Sequence, residues 1–387
     1  MIIKKYNRFL ESNREKDMWD IIPQSIKGIH TIFSNQSKQL FVVGGSVRDF
    51  ILDKQPKDFD LATNATPDEI LSIIGRKYRT NLQGKAFGVI VVFTEDQPKG
   101  IEIATFRSDI YDGKLGSTRN PNIKFTTINA DSERRDLSIN ALYYDLSSRK
   151  IVDLVGGIED LKNGVTRFVG DANLRIKEDP LRSLRCARFA CRFEFKLDEK
   201  SKQAIIKNKK SLTILSRERI WEEIEKAFEQ VKDFSLYYNL LNELELWEEI
   251  FDQNRVTFKD IKSEYLEVYI AFLLKGNSGD DLMDKLVQTY KISSDFSKKV
   301  VFLNKMQLFS SDNVFSAYKS KVACHIQNDI ILDWFKVLNI NNVAFKEFYK
   351  FLDYRPSVSA QDLMSKGFKG KPLGDEIERL EAEAFKK

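Results

Sequence analysis

The stretch that decides the fold is FVVGGSVRDFILDKQPKDFDLAT, Phe41 to Thr63. An apolar run ends in Gly44-Gly45, Arg48 follows in a short amphipathic segment, and Asp58-Phe-Asp60 leads into the next apolar run. Glycine belongs where the backbone takes positive φ or where another group must approach the main chain closely. Free N–H groups in such a turn make a nest for an anion, and Arg48 adds a charged fork suited to phosphate. Side chains two apart on a strand share a face. Asp58 and Asp60 would therefore present two carboxylates that repel one another unless a cation sits between them. Mg²⁺ takes such oxygen ligands and keeps phosphates as its other partners. A Gly-Gly after a strand is also an ordinary turn, and Asp-x-Asp an ordinary surface loop. Their order within one strand–helix–strand unit is what points to a phosphate and metal site.

Working outward, short apolar runs rich in β-branched and aromatic residues recur from Gln39 to about Asp153: LFVVGG, FGVIVVF, IEIATF, IKFTTI and INALYYD. Between them TPDEILSIIG has a helix start and helical apolar spacing. Glu102 alternates with Ile101 and Ile103, so it is either a third metal-facing acid or a solvent-facing residue of an antiparallel sheet. The residues before Gln39 read as helical, with Trp19, Ile21, Ile22 and Ile26 available for an apolar face. From Glu159 onward the spacing is helical almost throughout. The fold class expected is α+β: a head with a mixed β-sheet, followed by an elongated all-helical region. The expected divisions are an N-terminal helical segment (1–38), a head (39–153), a neck (154–232), a body (233–340) and a tail (341–387).

The 387 residues are 42% hydrophobic and 31% charged, as in a globular protein of more than one domain. No window approaches eighteen apolar residues and the N-terminus lacks a secretory core, so neither a membrane nor an export route is expected. Cys186, Cys191 and Cys324 make no disulfide framework, which fits a cytoplasmic interior. Only His30 and His325 are present, which disfavours a histidine zinc site and a Ser-His-Asp triad. An enzyme of this composition would run on carboxylates and arginines. The net charge of +5 permits a polyanionic partner without requiring one. The lysines of KLDEKSKQAIIKNKKSL, Lys196 to Leu212, read as a solvated face.

Six motifs in order resemble the class II tRNA nucleotidyltransferases, the CCA-adding enzymes and bacterial poly(A) polymerases of the polymerase-β-like superfamily. They are GGSVRD, DFDLAT, RRDLSINAL, DLVGGIEDL, RIKEDPLRSLRCARF and SRERIWEE, between about Phe41 and Lys226. SVSAQDLMSKGFKGKPLGDEIERL is similar to the tail of CCA-adding enzymes. The resemblance implies a polymerase-β-like nucleotidyltransferase head and Mg²⁺-dependent addition of CCA to tRNA from CTP and ATP. By position it makes Asp58 and Asp60 metal ligands, with Glu102 a third catalytic carboxylate. Gly44, Gly45 and Arg48 would hold the triphosphate; Arg135, Asp136 and Asn140 would lie beside sugar and phosphates. Arg219 would help the site switch from C to A, although Ser216 and Arg219 also read as an ordinary helix start. DLVGGIED would connect head to neck, with Gly156-Gly157 either a hinge or a turn.

In EDPLR, Glu178 to Arg182, the resemblance makes Asp179 and Arg182 a protein template for the base. Cytosine and adenine each offer an amino donor beside a ring-nitrogen acceptor, which suits an acceptor (Asp179) beside a donor (Arg182). Uracil and guanine would leave buried polar groups unpaired, at about 1–3 kcal/mol each. Asp179 before Pro180 is equally a good helix N-cap. Arg182, Arg185, Arg188 and Arg192 share one helical stripe with no interleaved acid. Such a stripe calls for an anion, either triphosphate and tRNA or acids elsewhere in the fold.

Within the family, NLQGKAFGVIVVF looks like the CCA-type stretch, departing at Phe87 where histidine is common. RSDIYDGKLGSTRNPNIKF, Arg107 to Phe125, is long enough for the loop associated with terminal A addition. An enzyme adding only A or only CC, a poly(A) polymerase, and a silent RNA-binding relative remain the alternatives. Protein partners and oligomeric state are not legible.

Overall fold

The structure, a computed structural model, describes residues 17–75, 77–110, 122–251, 261–277, 280–306, 314–339, 352 and 354–386. The chain divides into two compact units, Met1–Asp252 and Gln253–Lys387.

In the first unit a 3₁₀ turn, Met18–Ile21, and helix α1, Gln24–Asn35, bury Met18, Ile22, Ile26, Ile29 and Phe33. The sheet then begins with β1 (Leu40–Val43), α2 (Gly45–Ile51), β2 (Asp60–Thr63) and α3 (Pro67–Ile74). The expected start of α3 is present in full: Thr66 accepts the Glu69 N–H, Glu69 reaches back to Thr66, and Pro67 opens the helix. Strands β3 (Arg79–Asn81), β4 (Val89–Phe93), β5 (Ile101–Thr105), β8 (Leu142–Asp145) and β9 (Lys150–Asp153) complete a seven-stranded sheet in the order β3-β4-β5-β2-β1-β8-β9. It is mixed, because β2 and β5 run parallel and every other neighbouring pair antiparallel. β6 (Arg107–Ile110) and β7 (Asn122–Phe125) form a separate two-stranded ribbon. The loop expected between them lies mostly outside the described residues. Phe41, Val43, Ala62, Phe106 and Tyr143 form a buried cluster on one sheet face, with Ile128 and Val152 packed against it.

After β9 the unit is helical but for a short pair of strands, Val165–Thr166 and Lys196–Leu197. Its helices are α4 (Ile128–Glu133, between β7 and β8), α5 (Gly157–Asn163), α6 (Ala172–Glu178), α7 (Leu181–Phe193), α8 (Glu199–Asn208), α9 (Arg217–Gln230), α10 (Phe234–Glu243) and α11 (Leu246–Phe251). The glycine pair that opens α5, Gly156 as its N-cap and Gly157 as its first residue, is a tied turn. Asp153 accepts the N–H groups of Val155, Gly156, Gly157 and Ile158 at 2.9–3.2 Å. The lysine-rich stretch is a solvated face, with Lys202 paired to Glu243 and Lys209 to Glu245. In the second unit every described element is helical, ending in Ala360–Ser365 and Gly370–Lys386. Among the described residues no helix is long and apolar enough to cross a membrane.

Candidate active site

The sheet places its acids by register. Leu61 of β2 lies beside Ile103 of β5 in the parallel ladder, so Asp60 and Glu102, one residue earlier on each strand, are neighbours on the opposite face. Ile101, Ile103 and Leu61 are buried while Asp60 and Glu102 are exposed, which is the alternation expected of Glu102. Asp58 differs from expectation. It precedes β2, which begins at Asp60, so the Asp-x-Asp pair straddles the strand start and does not ride on one pleat. Asp60 reaches solvent, yet protein surrounds it closely. That burial, then the charge of Glu102, pushes its pKa up to about 6; Asp58 adds to the rise and Arg135 opposes it.

An acid pushed upward first by burial and then by neighbouring carboxylates marks a site short of positive charge. Among the described residues no three acidic, histidine or cysteine side chains form a ready metal cage. The donors are oxygen only, however, and Mg²⁺ is commonly held by one or two carboxylates together with substrate phosphates. Asp58 and Asp60 fit that habit, with Glu102 beside them.

Gly44 follows β1 with φ 78° and ψ −123°, a conformation that side chains avoid, and serves as N-cap of α2. A Cβ there would stand 3.6 Å from the Asn140 carbonyl oxygen and 3.9 Å from Arg135 Nη1. Arg48 lies 4% exposed. Its Nε and Nη2 donate to Asp49 at 2.9 and 2.8 Å, its Nη1 donates to Asn140, and its guanidinium sits 4.8 Å from the Phe193 ring centre. Arg48 thus joins the first helix after β1 to α7. Arg135 donates through Nε to the Tyr143 hydroxyl and through Nη2 to Asp131, at 2.9 and 3.0 Å.

The helical side of the site is built on α6, α7 and α9. Asp179 lies between α6 and α7, accepts the Leu181 N–H at 3.2 Å, and receives Arg219 Nη2 at 2.9 Å. It caps and pairs at once, and it is one partner of Arg219. Ser216 makes no side-chain cap. Arg182 donates to Glu178 at 2.6 Å and to the carbonyls of Arg175 and Arg134 at 3.3 and 3.2 Å. The arginine stripe finds acids elsewhere in the fold. Arg185 meets Asp136 at 2.7 Å and Arg188 meets Glu223 at 2.5 Å, while Arg192 shares Gln230 with Arg188. Burial alone would raise Asp136, but the Arg185 charge and hydrogen bonds hold it down to about 2.

Two family models match: the Poly A polymerase head domain over residues 40–167, and the probable RNA and SrmB-binding site of polymerase A over 194–254. Poly(A) polymerase I of Salmonella typhi is 32% identical over 272 residues, 66% of this chain and 56% of that one. The CCA-adding enzyme of Lactobacillus helveticus is 39% identical over 189 residues, 49% of this chain and 45% of that one. This chain belongs to the tRNA nucleotidyltransferase/poly(A) polymerase family. It spans about half the length of the relatives it matches. A solved Thermotoga maritima CCA-adding enzyme complexed with tRNA shares the fold, with TM-score 0.68, 20% identity, and 96% of this chain and 94% of that one covered.

The sequence motifs named many residues of this cluster and missed several buried groups that hold them. Asp131, 1% exposed, reads in sequence as one charge in a charged loop. Glu223, 2% exposed, hides among the glutamates of α9, and Tyr143 within a strand. The one signal available was position: Asp131 stands three and four residues before the two arginines it binds. His30 hydrogen bonds with Ser34 and Ser147, away from these groups.

Proposed function

We propose that this chain is a nucleotidyltransferase that adds CCA to the 3′ end of tRNA without a nucleic-acid template, using CTP and ATP with Mg²⁺. The observation that carries the reading is the crowding of Asp60 by Glu102 and Asp58 at the start of β2, opposite Val43, the residue that precedes Gly44. In this reading Asp58 and Asp60 hold the metal and Glu102 stands beside the attacking hydroxyl. Bound Mg²⁺ supplies a lowered pKa for that hydroxyl and charge neutralisation on the phosphates. Gly44 and Gly45 let the triphosphate approach the main chain, while Arg48, Arg135 and Asn140 orient it. Asp179 and Arg182 present acceptor and donor to the base edge, with Arg219 setting the position of Asp179. Arg185 and Arg188, braced by Asp136 and Glu223, hold the helix that carries the pair.

The division into head, neck, body and tail remains our functional partition, with tRNA gripped by the helical body and tail. Three free, buried cysteines support a reducing cytoplasm. Poly(A) synthesis is the second reading, favoured by 32% identity to Poly(A) polymerase I. Supporting CCA addition are higher identity to a CCA-adding enzyme over a shorter stretch and a fold shared along nearly the whole chain.

The test incubates the protein and Mg²⁺ with tRNA transcripts ending at the discriminator base, at C and at CC, each with CTP, ATP or both. Extension of all three to CCA and no further supports the proposal. A stop at CC, or extension of the CC transcript alone, makes it a partial enzyme. Long A tails make it a poly(A) polymerase, and no extension leaves an RNA-binding relative.

A further inference from the structure

Asp131 touches neither Asp60 nor Gly44, yet its carboxylate is the most heavily hydrogen-bonded acid beside them. It lies on α4, 1% exposed, and its two oxygens face different parts of the site. Oδ2 accepts the Tyr143 hydroxyl at 2.6 Å and Arg135 Nη2 at 3.0 Å. Oδ1 accepts Arg134 Nη2 at 2.7 Å, Arg134 Nε at 3.0 Å and the Arg107 N–H at 3.2 Å. A carboxylate offers roughly four lone-pair directions, so five donors saturate it.

Each oxygen leads to a different half of the nucleotide site. From Oδ2 the path runs through Arg135, whose Nη1 lies 3.9 Å from a Cβ position on Gly44 and whose charge opposes the rise in Asp60. From Oδ1 it runs through Arg134, whose backbone carbonyl accepts Arg182 Nη2 at 3.2 Å and whose Nε also reaches the Arg107 carbonyl at 2.9 Å. Two consecutive arginines therefore point to opposite oxygens of one buried acid.

We propose that Asp131 is a positioning residue that locks the triphosphate-side Arg135 and the base-side Arg182 into one geometry. The inference rests on the nucleotidyltransferase reading above. Its consequence is that placement of the triphosphate and choice of the base are coupled. Loosening Asp131 shifts the Arg134–Arg135 backbone, so that both the transfer rate and the rejection of the wrong base suffer.

The experiment compares wild type, Asp131→Asn and Tyr143→Phe. It measures kcat and KM for CTP on a tRNA transcript, the CTP-over-UTP ratio of kcat/KM, and the urea midpoint of each protein. Asp131→Asn replaces one acceptor oxygen with a donor, which must face an arginine. The expected result is a fall in kcat/KM of about 10²-fold, carried mainly by kcat, with CTP-over-UTP discrimination down about tenfold. Tyr143→Phe keeps both Asp131–arginine contacts, removes one donor from Oδ2 and the acceptor of Arg135 Nε, and is expected to lose about threefold to tenfold in kcat with a smaller loss of discrimination. Variants that unfold at lower urea, but whose folded fraction keeps kcat, KM and discrimination within twofold of wild type, would overturn the inference and leave Asp131 a purely structural acid. A lower kcat with unchanged discrimination would also overturn it, because the coupling would be absent. Should Asp131→Asn fail to fold, Tyr143→Phe decides by the same two readouts. Transfer by neither wild type nor variants overturns the nucleotidyltransferase reading and this inference with it.

Discussion

Replacing Gly157 by alanine puts a methyl group where the fold has no room. A Cβ on Gly157 would stand 2.2 Å from the Ser138 carbonyl oxygen, 2.9 Å from its carbon and 3.1 Å from Leu142 Cδ2. The oxygen contact is about 1 Å short of an ordinary carbon–oxygen approach. Neither side yields easily. The Ser138 carbonyl accepts the Ala141 N–H at 3.1 Å, and Gly157 is held by its own N–H on Asp153 at 3.0 Å. Overpacking plus a weakened hydrogen bond gives an expected loss of about 3 kcal/mol. Gly156 is the control. It takes φ 80°, so alanine there costs about 1–2 kcal/mol of left-handed strain. Its Cβ would meet only the end of the Arg167 side chain, at 3.4 Å. Urea unfolding followed by tryptophan fluorescence reads the difference, since Trp19, Trp221 and Trp247 all lie within Met1–Asp252. The displaced Ser138 also begins the turn that ends at Asn140, the partner of Arg48, so transfer activity should fall with stability. Gly157→Ala within about 0.5 kcal/mol of wild type, or Gly156→Ala costing more than Gly157→Ala, refutes the steric argument.

Three further outcomes follow from the charges. Asp60→Asn should cut nucleotidyl transfer by about 10³-fold while leaving the Mg²⁺-free melting temperature unchanged or higher; a marked drop in melting temperature would show that the Asp60 charge is satisfied within the fold. Asp136, held at about 2 against an ordinary 3.8, contributes stability that is complete above pH 4 and is lost as pH falls through its folded pKa. That contribution is about 2 kcal/mol, so the urea midpoint of Asp136→Asn should vary less between pH 5 and pH 3 than that of wild type. Burial pushes the Cys191 thiol up to about 12 and the Cys186 thiol well above its usual value, so a thiol-reactive dye should label neither until urea unfolds the chain.

The legible parts of the fold were those governed by local spacing. Alternation along Ile101–Thr105 located Glu102, and the Thr66–Glu69 box located α3, because both relations span only a few residues. Asp58 was misplaced because strand length is set by the partner strand: β2 pairs with β1 from Asp60 to Thr63 and no earlier. The arginine stripe was correct as a helix face and incomplete as electrostatics. Asp136 lies 49 residues before Arg185, and Glu223 lies 35 residues after Arg188, so only the packing of α7 against the turn after α4 and against α9 could supply those acids. Hubs such as Asp131 stay hidden for the same reason. Each oxygen takes an arginine from the next turn of chain, but the same acid also binds a tyrosine twelve residues on and a backbone N–H 24 residues back.

The pairing of these arginines bears on how the site can select. Arg48 is matched by Asp49, Arg135 by Asp131, Arg182 by Glu178, Arg185 by Asp136 and Arg188 by Glu223. A buried guanidinium without an acid would be costly in the empty protein, and one already neutralised attracts a triphosphate less strongly. Charge alone therefore cannot draw the nucleotide in with great force. What the acids provide, together with further acceptors such as Asn140 for Arg48, Tyr143 for Arg135 and the Arg134 carbonyl for Arg182, is direction, since each guanidinium is held from more than one side in a defined place. On the proposed function, such a site would discriminate by fit, in the way a fixed acceptor and donor at Asp179 and Arg182 would read a base edge. Removing a bracing acid should then harm selection more than binding, whereas removing an arginine that faces the phosphates should do the reverse.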